Sequence, residues 1–227
     1  MQDSPFSPVP GSCFVTGTGT DVGKTVVAAA LVAALGADYW KPVQSGTDEL
    51  PAGDAGTVAR LAALGEDRLV PTVYAFKAPL SPDQAAAREQ VTIDLSSLTL
   101  PRRDRPLVVE GAGGILVPLS RRHTMVHLMA RLLLPVVVVA PSGLGTINHT
   151  LLTLEGLRHR NLPVAGVIFS GPPHPDNAES VARLGAVRVL GTLPRLDPLT
   201  PAALALAAQA LDLSPLIDPP TRGFAEF

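Results

Sequence analysis

Short, β-branched apolar runs alternate with longer Ala- and Leu-rich stretches along the chain. The runs at 12–16, 107–110, 136–140, 164–169 and 187–190 are apolar at nearly every position, which predicts strands buried on both faces rather than strands with one wet side. Residues 39–40 predict a further, second strand. Between them, residues 24–35, 54–64, 84–89, 126–133, 147–160, 178–184 and 201–211 predict helices. Strands and helices that alternate in this way give an α/β fold with a mostly parallel sheet covered on both faces. Prolines fall where elements end, at Pro42, Pro101, Pro106, Pro118, Pro141, Pro163 and Pro194, the positions where a residue without an N–H does least harm.

A chain of 227 residues with no linker or internal repeat predicts one domain over 12–213, with flexible tails at 1–11 and 214–227 that are marked by clustered prolines. Hydrophobic residues make up 46% and aromatics only 4%, so the core is expected to be Ala, Val and Leu. A net charge of −2 gives no basic face for nucleic acid. The N-terminus has no signal-peptide pattern, and Pro135 breaks the densest apolar stretch well short of the ~18 residues of a membrane span. With Cys13 as the only cysteine, the expectation is a soluble cytoplasmic protein that binds neither nucleic acid nor membrane.

The chemistry concentrates at strand ends. Residues 14–25, FVTGTGTDVGKT, run from the first strand through a glycine-rich turn into a helix. In that setting backbone N–H groups cradle phosphates, Lys24 adds positive charge and the Thr25 hydroxyl ligates Mg²⁺. Thr18 stands where the phosphate-loop pattern has its first glycine, between Gly17 and Gly19. In LVVEGAGG, Glu110 ends a buried strand and becomes a Mg²⁺ partner beside such a loop. In KPVQSG, Lys41 leaves the second strand; Lys24, Lys41 and Lys77 are the only lysines among 18 basic residues, so a compact ammonium is wanted here rather than a guanidinium. A charge at an exposed strand end remains the alternative for Lys41. Asp54, opening a helix after a Gly-rich loop, reads by itself as a helix N-cap. GLGTINH after the strand at 136–140 is either a second anion site at a helix start or an ordinary capped helix. His123 and His127 lack a third ligand for a metal, and Glu155 with Arg158 reads as an exposed pair on one helix.

GTGTDVGKT, KPVQSG, the Asp54 helix start, VEGAGG and GLGTINHT, in this order, resemble the dethiobiotin synthetases, P-loop ligases of biotin biosynthesis. The resemblance covers about residues 14–196. It implies a homodimer that joins CO₂ to 7,8-diaminopelargonate with ATP and Mg²⁺. Lys24 and Lys41 would be catalytic, and Thr25, Asp54 and Glu110 would hold Mg²⁺. The nucleotide would lie along Asp21, Val22, Gly23, Lys24, Thr25 and Val26, then Asp54, Glu110, Gly111, Ala112 and Gly113, and finally Ser170, Gly171, Leu193, Pro194 and Arg195. Thr20 and Ser45 would line the substrate site, with Leu144, Gly145, Thr146, Ile147 and Asn148 receiving the substrate carboxylate across the dimer interface. Members of the family often carry asparagine after the strand at 164–169, where this chain has Ser170-Gly171. A hydroxyl cannot both donate to and accept from adenine as an amide does, which implies weak base selectivity, with CTP or GTP accepted alongside ATP. The competing readings are an amide-forming ligase of the cobyrinate-diamide-synthase kind, disfavoured by the position of Cys13 in the first strand, and a partition-type nucleotide switch, disfavoured by the lack of an additional lysine in 17–20.

Overall fold

The computed structural model describes residues 8–218. Its main sheet has seven parallel strands in the order β4-β2-β6-β1-β7-β8-β9. These are β1 (Cys13–Gly17), β2 (Asp38–Trp40), β4 (Leu69–Val70), β6 (Leu107–Gly114), β7 (Val136–Pro141), β8 (Val164–Ser170) and β9 (Val189–Leu193); β3 (Val43–Gln44) and β5 (Tyr74–Ala75) form a separate parallel pair. The helices are α1 (Lys24–Leu35), α2 (Gly53–Leu61), α3 (Pro82–Arg88), α4 (Met125–Leu132), α5 (Thr146–Arg158), α6 (Pro175–Leu184), α7 (Pro201–Ala208) and α8 (Ser214–Ile217).

Alternation along each strand divides the core in two. Phe14, Val109, Val136, Val138 and Ala140 point to the face covered by α4, α5 and the segment around α3. Cys13, Val15, Val108, Val137 and Val139 point to the face covered by α1 and α7. Helix α1 is apolar nearly all round because it is buried nearly all round: Val27 to Leu31 are 0% exposed. Gly23 (φ 90°) opens it and Gly36 (φ 59°) closes it, the latter with its N–H donated to the Val32 carbonyl.

The chain leaves β1 toward β2 and β4 on one side, returns through β6, and then builds β7, β8 and β9 on the other. The order therefore reverses beside β1, and in such sheets the crevice for a ligand lies beyond the strands' C-terminal ends at that point.

Several expectations are corrected. Strand β6 continues past Glu110 to Gly114 because Gly114 pairs with Gly17, an approach that side chains would obstruct. Strand β9 starts later and runs on through Gly191 and Thr192, since backbone pairing with β8 continues after the apolar run stops. The domain does not end at 213: α8 follows, Leu216 is buried, and its carbonyl accepts the Gly11 N–H at 2.8 Å. The rest of the expected tails, 1–7 and 219–227, lies outside the described residues. Arg158 donates to the Ala186 carbonyl at 2.9 Å and forms no pair with Glu155. Among the described residues no helix is long and apolar enough to cross a membrane.

Candidate functional site

At the C-terminal ends of β1 and β6 a cavity of about 930 Å³ opens. Thr20, Asp21, Gly23, Lys24, Thr25 and Val26 line it from the loop and the start of α1; Lys41, Ser45 and Asp54 line it from beyond β2; Glu110, Ala112 and Gly113 line it from β6. Segments far apart in sequence thus supply one site.

The loop after β1 is built by two glycines. A Cβ on Gly17 would stand 2.7 Å from both the Gly19 carbonyl and the Val22 side chain, and one on Gly23 only 2.3 Å from Ser170 Oγ. Gly23 and Asp21 take left-handed backbone (φ 90° and 56°). Thr18 does not, so a threonine at this position meets no conformational demand for glycine.

Three side chains converge on the Glu110 carboxylate. Thr25 Oγ1 donates to Glu110 Oε1 at 2.9 Å, Lys41 Nζ donates to the same oxygen at 3.1 Å, and Tyr39 donates its hydroxyl to Oε2 at 2.8 Å. Lys41 Nζ also lies 2.7 Å from Asp54 Oδ2 and 3.0 Å from the Gly111 carbonyl. Glu110 is 1% and Lys41 4% exposed, so each charge is buried only because the other compensates it. The strand-end alternative for Lys41 therefore fails.

Asp54 is no N-cap. Helix α2 begins one residue earlier, the Asp54 N–H is donated to Gln44 Oε1 at 2.9 Å, and the carboxylate is left free to face Lys41.

The electrostatics set the two lysines apart. Burial pushes the Lys24 ammonium below its ordinary pKa, helped by Lys41 and opposed by Glu110, Asp54 and Asp21. Burial acts the same way on Lys41, but Glu110 and Asp54 outweigh it and raise its pKa. Burial, then Glu110, then Asp54, hold the Tyr39 phenol well above the ordinary tyrosine range. Lys24 Nζ donates to the Gly19 carbonyl at 3.0 Å, folded back over its own loop.

The oxygen set of Thr25, Asp54 and Glu110 fits Mg²⁺, which takes one or two carboxylates and completes its shell with phosphate and water. Among the described residues no cluster of three His, Cys, Asp or Glu could hold a metal alone. His127 Nδ1 accepts the Thr124 N–H in a capping box at the start of α4, and His123 contacts Ser120.

Other expected residues lie off the cavity wall. Ser170 Oγ abuts Gly23 from the end of β8, and Gly171 donates its N–H to the Leu193 carbonyl. Leu193 is buried in the core, and Pro194 and Arg195 are exposed beyond it. Val22 packs under the loop, and Gly111 reaches the site only through its carbonyl. In the turn into α5, Leu144, Gly145 and Asn148 are exposed, Thr146 is buried against Thr150 and Ile147 packs on the core.

Tyr39 and Gln44 bond to Glu110 and to the Asp54 N–H, contacts that the sequence did not disclose. The far wall, with Glu49, Leu50, Pro79, Leu80, Pro82 and Gln84, carries no motif.

An AAA domain family profile matches residues 12–203. The ATP-dependent dethiobiotin synthetase BioD of Paramagnetospirillum magneticum is 54% identical over 85% of this chain and 92% of that protein. That of Agrobacterium fabrum is 50% identical over 91% of this chain and 97% of its own length. The biotin biosynthesis bifunctional protein BioCD of Bordetella avium is 52% identical over 90% of this chain, which spans 42% of that longer protein. Among solved structures, the cell division ATPase MinD of Pyrococcus furiosus superposes with a TM-score of 0.51 at 14% identity, covering 88% of this chain and 98% of that one. A chain of the Aquifex aeolicus MinC:MinD cell division protein complex gives 0.52 at 13%, covering 97% and 99%. These structural likenesses concern the fold alone.

Proposed function

The chain belongs to the ATP-dependent dethiobiotin synthetase family, a P-loop ligase family of biotin biosynthesis, and we propose that its cavity carboxylates and cyclises 7,8-diaminopelargonate with CO₂, a nucleoside triphosphate and Mg²⁺. The observation that carries this reading is the placement of two lysine ammoniums and a Thr25-Asp54-Glu110 oxygen set in one cavity at the end of β1.

One substrate amine adds to CO₂ and gives a carbamate. A carbamate oxygen attacks the γ-phosphorus and ADP departs. The second amine then attacks the carbamate carbon, closes the ureido ring and expels phosphate. No step requires a covalent protein nucleophile; positioning and charge neutralisation suffice. Thr25, Asp54 and Glu110 would hold Mg²⁺, which neutralises the phosphate charge. Lys24, at the start of α1 directly after the glycine-rich loop, would attract the transferring group. Lys41 stays protonated between its carboxylates and meets the carbamate. Ser45 Oγ is buried without a hydrogen-bond partner, which supports its assignment to substrate, with Thr20 opposite.

The working unit is a homodimer. Leu144 is a fully exposed large apolar side chain (107%) in the turn before α5, outside the cavity of its own copy. In the dimer this turn receives the substrate carboxylate of the other copy through the exposed residues and the main chain of 144–148. At the base, Ser170 in place of an amide leaves selectivity weak, so CTP or GTP is accepted alongside ATP.

The test is incubation of the purified protein with nucleotide, Mg²⁺ and bicarbonate, with and without the diamine, while dethiobiotin is followed by mass spectrometry. Dethiobiotin formed with diamine-dependent phosphate release supports the reading; phosphate released equally without diamine rejects it.

A further inference from the structure

Glu110 presents two carboxylate oxygens to different surroundings. Oε1 meets Thr25 and Lys41, both on the cavity wall, whereas Oε2 meets only the Tyr39 hydroxyl, which is off that wall. The carboxylate torsion of a glutamate is broad and roughly two-fold, so side-chain preference does not decide which oxygen faces the cavity. An external donor has to.

Tyr39 is built as that donor. It is 0% exposed in β2, opposite Val108 of β6. Val108 and Glu110 are two apart on one strand and share a face, so the ring reaches along the sheet surface to Glu110. A phenylalanine would fill the same space in the core. The hydroxyl is the polar atom that burial penalises unless it is bonded, and it donates to Glu110 Oε2.

We propose that Tyr39 is a positioning residue for the metal site: it holds Glu110 Oε2 on the core side and so presents Oε1, beside Thr25 Oγ1 and Asp54, to the cation that accompanies the nucleotide. This rests on the reading that Glu110 holds nucleotide-bound Mg²⁺. Tyr39 touches neither cation nor substrate, and it acts through the orientation of one carboxylate.

Tyr39→Phe and Glu110→Gln test it in the full-length protein. The probe is a non-hydrolysable ATP analogue, titrated without metal and at increasing Mg²⁺. Binding is read by calorimetry and by the fluorescence of Trp40, the single tryptophan, next to Lys41. For Tyr39→Phe the Mg²⁺ concentration that half-saturates analogue binding rises roughly tenfold, while metal-free affinity stays within about twofold. Unchanged Mg²⁺ dependence in Tyr39→Phe, with a raised requirement in Glu110→Gln, overturns the role of Tyr39 and leaves the metal site standing. Unchanged dependence in Glu110→Gln removes the metal role of Glu110, and the Tyr39 role with it. Because Tyr39→Phe bares a buried carboxylate oxygen and can fail to fold, it is also made in the Glu110→Gln background. There it adds nothing to the Mg²⁺ requirement if Tyr39 acts through Glu110; a further rise contradicts the proposal.

Discussion

The ammonium of Lys41 lies 2.7 Å from Asp54 Oδ2. With Glu110 at 3.1 Å on its other side, Lys41 sits among the same oxygens that suit a divalent cation. Positive charge is thus held in the cavity by the chain itself. If Mg²⁺ binds as proposed, the lysine and the metal would be neighbours competing for two carboxylates.

Lys41→Gln separates binding from chemistry. Loss of the ammonium leaves the buried Glu110 carboxylate without its counter-charge, so the cost to folding is about 3–5 kcal/mol, while nucleotide affinity is retained through the phosphate loop. Turnover falls by roughly 10²–10³. Measured kcat and nucleotide Kd check this; an unchanged kcat takes Lys41 out of the mechanism.

Gly23→Ala disables the loop. The new methyl collides with Ser170 Oγ and forces a non-glycine residue into left-handed backbone, which costs about 1–3 kcal/mol and displaces the start of α1. Ser170→Gly added to Gly23→Ala removes the collision and leaves only the backbone strain. Thermal unfolding and analogue binding should recover in part, and no recovery would mean that the Ser170 contact is immaterial.

The depressed pKa of Lys24 makes nucleotide affinity sensitive to alkaline pH. Lys24 attracts phosphate only while protonated, and it loses its proton below the ordinary lysine value, whereas Lys41 keeps its own above it. Affinity therefore falls as pH rises through the lowered Lys24 pKa, and Lys24→Arg moves the fall upward. Linkage has the opposite sign for folding. Between the lowered folded pKa and the ordinary value the unfolded chain binds more protons, so the contribution of Lys24 to stability rises with pH across that window. Binding isotherms and denaturant midpoints across the alkaline range check both signs.

Cys13, 0% exposed in β1 with its thiol pushed up to about 12 by burial, should be inert to thiol reagents at neutral pH. Its labelling then reports unfolding and slows as Mg²⁺ and ATP analogue are added. Fast labelling of the native protein would contradict the buried placement.

Base choice is tested by kcat/KM for ATP, CTP and GTP. The ratios should stay within about a hundredfold, roughly 2.7 kcal/mol, and Ser170→Asn should raise the preference for ATP. A stronger native preference for ATP rejects the idea.

What the sequence disclosed was what local chemistry determines. Gly23 and Gly36 bracket α1 because the backbone itself changes hand there, and the expected span, 24–35, is the observed one. Lys24, Thr25 and Glu110 were legible because each ends or follows a buried strand. The pair β3 and β5 was not, since two-residue strands carry no periodicity. Neither was the cage of Asp38, buried with Arg68 and Arg103 at 3.1 and 2.5 Å, which ties the start of β2 to segments 30 and 65 residues away. The role of Gln44 depends on Asp54, ten residues on and in another element. Contacts of this kind are set by how elements dock, and local pattern says nothing of them.

The most direct test of the central claim follows oxygen atoms from CO₂. If the γ-phosphoryl passes to a carbamate oxygen, then a reaction started with C¹⁸O₂, before it exchanges with water, places one labelled oxygen in inorganic phosphate and the other in the ureido carbonyl of dethiobiotin. Mass spectrometry of both products reads it at once. Unlabelled phosphate beside labelled dethiobiotin would mean that water, and not the carbamate, receives the phosphoryl group in this cavity.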